Sequence, residues 1–270
     1  MTPKMYQSQD LPTSLLEQIA DAHGDAPERT TSQADLRRGD AHGNDEPPFF
    51  DAVILREALE IYSAVRTLQP TNSAEIGFCC GGSGLAILKA LEDNGQGTHH
   101  VCDPYQTSYA RGTGLRNVER AGLSARLRFH EAFPEAVVPG FPTLQFAFID
   151  ASHLFDLSML DFVLIDKRLE VGGVLGFHDL WMPSLQAVVR FLLTNRGYEV
   201  YYAPNSPRFA GGSRWRRFVA GLARCVPRAD ALFTQRVLRP WTEIGIAGNV
   251  ALLRKTKPDD RDWRHFRPFA

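Results

Sequence analysis

Apolar positions along the chain change their spacing in a regular way. Val53, Leu55, Leu59, Ile61, Tyr62 and Val65 recur at helical intervals and predict an amphipathic helix in the stretch that begins near Phe49. Short apolar runs then alternate with helical stretches. The runs are Ala74 to Gly77, His99 to Asp103, Leu127 to His130, Leu144 to Asp150 and Gly173 to His178. Between them, Gly84 to Leu91, Gly112 to Ala121, Leu157 to Leu169 and Ser184 to Asn195 have helical spacing. Phe146-Ala147-Phe148-Ile149 and Val174-Leu175-Gly176-Phe177 are apolar on both faces, as a strand is when helices cover it on each side. Repeated strand–helix units predict a doubly wound α/β fold on a mostly parallel sheet with right-handed crossovers. Two further strands, Tyr198 to Ala203 and Asn249 to Lys255, bring the expected sheet to seven.

Two segments fall outside this alternation. Residues 1–48 are expected to be an N-terminal arm, polar from position 21 and rich in Asp, Arg, Gly and Pro, a composition that suits a flexible segment. That leaves 49–270 as the folded domain. Within it, 205–245 interrupts the strands as a helical insertion. There Trp215, Phe218, Val219, Leu222 and Val226 have helical spacing, with Arg214, Arg216, Arg217, Arg224 and Arg228 interspersed. A lid, or a helix packed on the sheet or on a second subunit, is the expectation.

Composition narrows the function classes. The 270 residues carry a formal net charge of −1, so no basic surface for nucleic acid is expected. No apolar run approaches the roughly 18 residues of a membrane span. The N-terminal residues lack the apolar core of a secretory signal. Cys79, Cys80, Cys102 and Cys225 show no metal-ligand spacing, and adjacent Cys79 and Cys80 are a poor start for a disulfide framework. A cytoplasmic protein without nucleic-acid or membrane partners is expected.

The first candidate site is the turn Glu75-Ile76-Gly77-Phe78-Cys79-Cys80-Gly81-Gly82-Ser83-Gly84. It follows an apolar strand and opens a helix, where glycines permit close backbone approach and the helix start favours a ligand's negative charge. Asp103 ends the next strand, at the offset of a carboxylate that accepts ribose hydroxyls; a cap before Pro104 is the bland alternative. No G-x-G-x-x-G spacing is present, which weighs against a nicotinamide-dependent oxidoreductase on a similar sheet.

The second is formed by Ile149-Asp150-Ala151-Ser152-His153 and Gly176-Phe177-His178-Asp179-Leu180-Trp181, at the ends of neighbouring strands. Ligands sit at the carboxyl ends of strands in open sheets, so Asp150, His153, His178 and Asp179 are expected around one crevice. Two carboxylates and an imidazole suit a divalent cation. His153 equally suits a general base toward a hydroxyl. Trp181, Trp215 and Trp241 are either stacking partners for a ring-bearing acceptor or simple packing.

The first turn, acidic-x-glycine-x-x-x-glycine, resembles motif I of the class I S-adenosylmethionine-dependent methyltransferases, whose fold is a Rossmann-like sheet. That resemblance implies S-adenosylmethionine as cofactor, lined by Glu75, Gly77, Cys79, Gly81 and Ser83, with Ala132 of Glu131-Ala132 at the adenine edge. The stretch from Phe148 to Trp181 resembles the branch akin to macrocin O-methyltransferase and the cephalosporin-hydroxylase-like enzymes. In that branch a strand ends Asp-x-x-His, a helix and a Gly-Gly turn follow (here Val171-Gly172-Gly173), and the next strand ends in an acidic pair. Carried over, Asp150 and Asp179 bind magnesium and His153 takes the acceptor's proton. His178 stands at the position of a Glu ligand, and imidazole is a poorer magnesium ligand. The resemblance covers about residues 70–204, with an echo at Gly248-Asn249-Val250-Ala251. It implies O-methylation of a natural-product or sugar-like hydroxyl; non-methylating chemistry on the same cofactor is the alternative.

Overall fold

The computed structural model describes residues 55–202, 214–229 and 248–269, together with 233, 238 and 246. The expected N-terminal arm, the first turn of the expected helix near Phe49, and most of the insertion lie outside the described residues. Among the described residues, no helix is long and apolar enough to cross a membrane.

Helix α1 (Leu55–Leu68) packs through Ala58, Ile61, Tyr62, Ala64 and Val65 onto α2 (Gly82–Asn94). The Tyr62 hydroxyl donates to Asp93 Oδ2 at 2.7 Å and fixes the crossing. The strands are β1 (Asn72–Ile76), β2 (Thr98–Cys102), β3 (Leu127–His130), β4 (Leu144–Ile149), β5 (Leu169–Phe177), β6 (Tyr198–Val200) and β7 (Ala251–Lys255). Helices α3 (Thr113–Arg120), α4 (Pro134–Val137), α5 (Phe155–Asp166) and α6 (Pro183–Asn195) connect them, and α7 (Arg214–Arg224) lies in the insertion.

The sheet runs β3-β2-β1-β4-β5-β7-β6. β1 to β5 are parallel, while β7 is antiparallel to both its neighbours. A dinucleotide-binding sheet continues with a parallel sixth strand after β5; here an antiparallel β7 is inserted at that place. The order of strand addition reverses between β1 and β4, and this switch point opens the crevice where such sheets bind ligands.

Two apolar layers sandwich the sheet. Phe146, Phe148 and Val174 face one cluster with α1, α2 and α3, while Ala147, Ile149, Leu175 and Phe177 face another with α5 and α6. The doubly apolar runs of β4 and β5 are thus explained by burial on both sides. Phe146, Phe148 and Phe177 are fully buried, and each such ring contributes about 2–3 kcal/mol through its removal from water. Several boundaries differ from the sequence expectation: the helix expected over Leu157–Leu169 is Phe155–Asp166, β6 ends at Val200 and β7 starts at Ala251. β5 starts at Leu169 and absorbs Val171-Gly172-Gly173, expected as a turn, because Leu169 already pairs with Leu144 before a register shift. In α7, Phe218 and Leu222 are each 56% exposed, whereas Ala220 and Ala223 are buried. Ala220 and Ala223 face the protein, whereas Phe218 and Leu222 face away from it.

Candidate active site

Register lines the candidate residues up. Ile76 pairs with Cys102 and Ile149, Ile149 pairs with Phe177, and Cys102 pairs with His130. One residue further on, Glu131, Asp103, Gly77, Asp150 and His178 form a row across the carboxyl rim. Backbone bonds extend the ladder to this row: Gly77 N–H to Cys102 O, Asp103 N–H to His130 O, and Asp150 N–H to Ile76 O. At its centre Gly77 has φ 84°, and a Cβ there would lie 1.9 Å from the backbone oxygen of Asp150. Only glycine lets the two strand ends come this close.

The bend after Gly77 is held by side chains of the next strand–helix unit. Asp103, buried, accepts from the Phe78 N–H at 3.1 Å and the Cys79 N–H at 3.0 Å through Oδ2, and from the Tyr105 N–H at 2.8 Å through Oδ1. Gln106 Nε2 donates to Cys79 O at 2.9 Å, and its Oε1 accepts from the Gly114 N–H at 3.1 Å. Asn117 Nδ2 donates to Cys80 O at 3.0 Å. Glu75 points inward from the strand, fully buried, accepting from Ser83 Oγ and lying 3.0 Å from His99 Nε2. Burial raises the Glu75 carboxyl above its usual range, with His99 and Ser83 opposing. Glu75 and Ser83 therefore brace the turn from beneath. Cys79 is exposed on the turn, and Gly81 has φ 80° as the residue capping α2.

Next along the rim, Tyr105 is 56% and Phe133 51% exposed, and their rings meet edge to face at 5.9 Å. Ala132 lies beside Phe133, half-buried. Glu131 is turned to Thr107, accepting from its N–H and hydroxyl, both at 2.8 Å.

On the other side of Gly77 the polar groups answer one another. His153 Nε2 lies 2.9 Å from Asp179 Oδ2 and 3.3 Å from Asp150 Oδ1. One ligand atom from each of Asp150, His153 and Asp179 falls within 4.8 Å of the others, so the trio fits a cation with oxygen-rich coordination. His178 is outside this trio. Its buried Nδ1 lies 3.4 Å from Asp150 Oδ2 and 3.5 Å from Asp179 Oδ1 without forming a hydrogen bond. Its Nε2 donates to Glu57 Oε2 of α1 at 3.1 Å.

Asp179 also accepts from Trp181 Nε1 at 3.0 Å and Asn249 Nδ2 at 3.1 Å. Trp181, 47% exposed, stands at the mouth of the site. Trp215 and Trp241 have no described side chains. Ser184 Oγ donates to His153 O at 2.6 Å and fixes the loop. His153 (φ 59°) and Asp179 (φ 54°) hold left-handed backbone conformations that are strained for residues other than glycine.

The charges follow from this crowding. Burial pulls the His153 imidazole down, but Asp150 and Asp179 outweigh it and lift its pKa to about 9. Burial likewise opposes, and Asp150, Asp179 and Glu57 overcome it, to push His178 to about 12. For Asp150 and Asp179 burial is opposed by the two imidazoles, which hold both carboxyls below the usual range.

Four of these side chains escape a reading by motif. Glu57 carries a sequence signal: it shares an i, i+4, i+8 stripe with Ile61 and Val65, an acidic residue on an apolar face. Asn249 sits in the stretch that echoes the family pattern. Gln106 and Asn117 carry none, because their partners are backbone oxygens of a distant turn.

Residues 74–180 match a family model described as a methyltransferase domain. No curated protein sequence matches the chain. Among solved structures, the chain is similar to the O-methyltransferase from Bacillus cereus in complex with SAH (14% identity, TM-score 0.52, covering 74% of this chain and 84% of that one). It is also similar to the SAH-bound methyltransferase of Podospora anserina (15% identity, TM-score 0.50, covering 92% and 89%). A shorter likeness, to a Klebsiella pneumoniae structure, spans 62% of this chain and 64% of that protein (16% identity, TM-score 0.44). The strand order agrees with the Bacillus cereus and Podospora anserina likenesses, which show a shared fold.

Proposed function

We propose that the protein transfers a methyl group from S-adenosylmethionine to a hydroxyl of a small molecule. One observation carries this reading: a braced bend at a helix start and a carboxylate–imidazole cluster share one rim, separated only by Gly77. The Bacillus cereus and Podospora anserina structures hold SAH. The bend suits that ligand: α2 presents its N-terminus there, Asp103 lies against Phe78 and Cys79, and exposed Tyr105 and Phe133 offer a face for adenine.

Bound S-adenosylmethionine supplies a methyl already activated on a sulfonium, so the chain's task is alignment, exclusion of water and removal of a proton. Gly77, Cys79 and Gly81 would face the cofactor, with Glu75 and Ser83 supporting the turn and Ala132 at the adenine edge. Asp150 and Asp179 would hold a divalent cation, which favours the anionic form of a coordinated hydroxyl. His153, on the loop between them, would take the hydroxyl proton at Nε2 in its neutral form, which a pKa of about 9 populates only as pH rises. His178, anchored on Glu57, would position the two carboxylates. Trp181 lies where an acceptor ring would rest.

Calorimetry with SAH tests the cofactor half. Micromolar binding by the wild type, weakened about tenfold or more in Asp103→Ala, is expected, since the substitution releases the bend. Unchanged affinity in that variant overturns the role of Asp103. Tight binding of NADH with no binding of SAH overturns the reading as a whole.

A further inference from the structure

Helix α5 buries one side in the protein and leaves leucines exposed on the other. Ser158, Asp161, Phe162, Ile165 and Asp166 form the buried side. On the opposite side Leu157 is 42% and Leu160 40% exposed, with Val163 and Leu164 half-buried beside them. At about 100° per residue these positions form one stripe centred on Leu160. A surface helix ordinarily carries its charged residues there. This stripe has two charges, Asp156 in the first turn and Lys167 just past the last, both exposed. Among the described residues neither forms an ion pair.

The two charges have opposite sign and stand at opposite ends, about 16 Å apart along the axis. A two-fold rotation about a point midway between Leu160 and Val163 turns the stripe end for end. It sets Leu160 against the same apolar stripe and brings Asp156 to Lys167 of the other copy, twice. The stripe is thus complementary to itself in both shape class and charge, as an isologous contact requires. We infer that α5 is the contact helix of a homodimer, packed antiparallel on α5 of a second copy of this chain. His153 lies two residues before α5, so the contact braces the loop that carries it. The inference does not rest on the methyl-transfer reading.

Sedimentation equilibrium of the full chain tests it. A dimer is expected for the wild type. Asp156→Lys and Lys167→Asp should each weaken it about tenfold or more, since each copy then meets a like charge twice. Mixed in equal amounts, the two variants should form a heterodimer as tight as the wild type, because every contact is again of opposite sign. Leu160→Asp should be monomeric with an unchanged far-ultraviolet circular dichroism spectrum. A wild type that stays monomeric to about 100 μM overturns the proposal. So does a dimer that survives Leu160→Asp, which would put the contact elsewhere, or a mixture that fails to recover the dimer.

Discussion

The two halves of the carboxyl rim solve the same problem, buried polar groups, in opposite ways. On the β1–β2 side, Asp103, Gln106 and Asn117 spend their hydrogen bonds on backbone groups of the bend. The result is a rigid turn with its polar atoms answered by the chain itself. On the β4–β5 side, Asp150, His153, His178 and Asp179 are answered chiefly by one another. Their protonation states depend on mutual proximity, and a cation or a hydroxyl entering the cluster changes them all. A polar network closed on the backbone makes a scaffold, whereas one closed on titratable side chains makes a site that can respond to a ligand.

His153→Ala should give the largest effect and show it on one side alone. Turnover should fall by about 10² to 10⁴, the range of a lost general base, with SAH affinity unchanged by calorimetry. Equal loss of both would mean that the halves are not separable. Gly77→Ala should instead damage both halves, since its Cβ meets the Asp150 backbone at 1.9 Å. A destabilisation of about 3 kcal/mol or more in denaturant unfolding is expected, with SAH binding lost.

The pH response should sharpen the contrast. The His153 pKa is lifted from 6.5 to about 9, so its proton stabilises the cluster fully below about 6.5 and that contribution is lost as pH rises through 9. A cation drawn to the two carboxylates repels that proton. Magnesium affinity by calorimetry should therefore rise with pH, by at most about tenfold per unit between 7 and 9, and then level off. SAH affinity should stay flat over the same range. The smallest effect is expected at the far end of the row. Glu131→Ala removes only exposed bonds to Thr107, and its stability should stay within about 0.5 kcal/mol of wild type. A larger loss would show that the rigid half extends to β3.

Much of the fold is legible because the apolar spacing answers directly to burial. Phe146 and Phe148 face one layer and Ala147 and Ile149 the other, so a run apolar at every position reads at once as a central strand. The bulged start of β5 is not legible, because Val171-Gly172-Gly173 has turn chemistry and only pairing with Leu144 draws it into the sheet. The exposed stripe of α5 is not legible, because Ser158, Asp161 and Asp166 lie on the side that the fold buries.

By itself, the sequence determined which strands lie in the middle of the sheet, where the chain bends after β1, and which residues end each strand. Those features follow from local rules of periodicity, turn chemistry and burial. Only the tertiary structure decided that Asp103 is committed to the bend and that His178 joins the two carboxylates to Glu57. It also decided that Asn249, arriving from antiparallel β7, holds Asp179. Each depends on where a side chain distant in the sequence comes to lie, which is fixed when the strands pair in register and the helices settle against them.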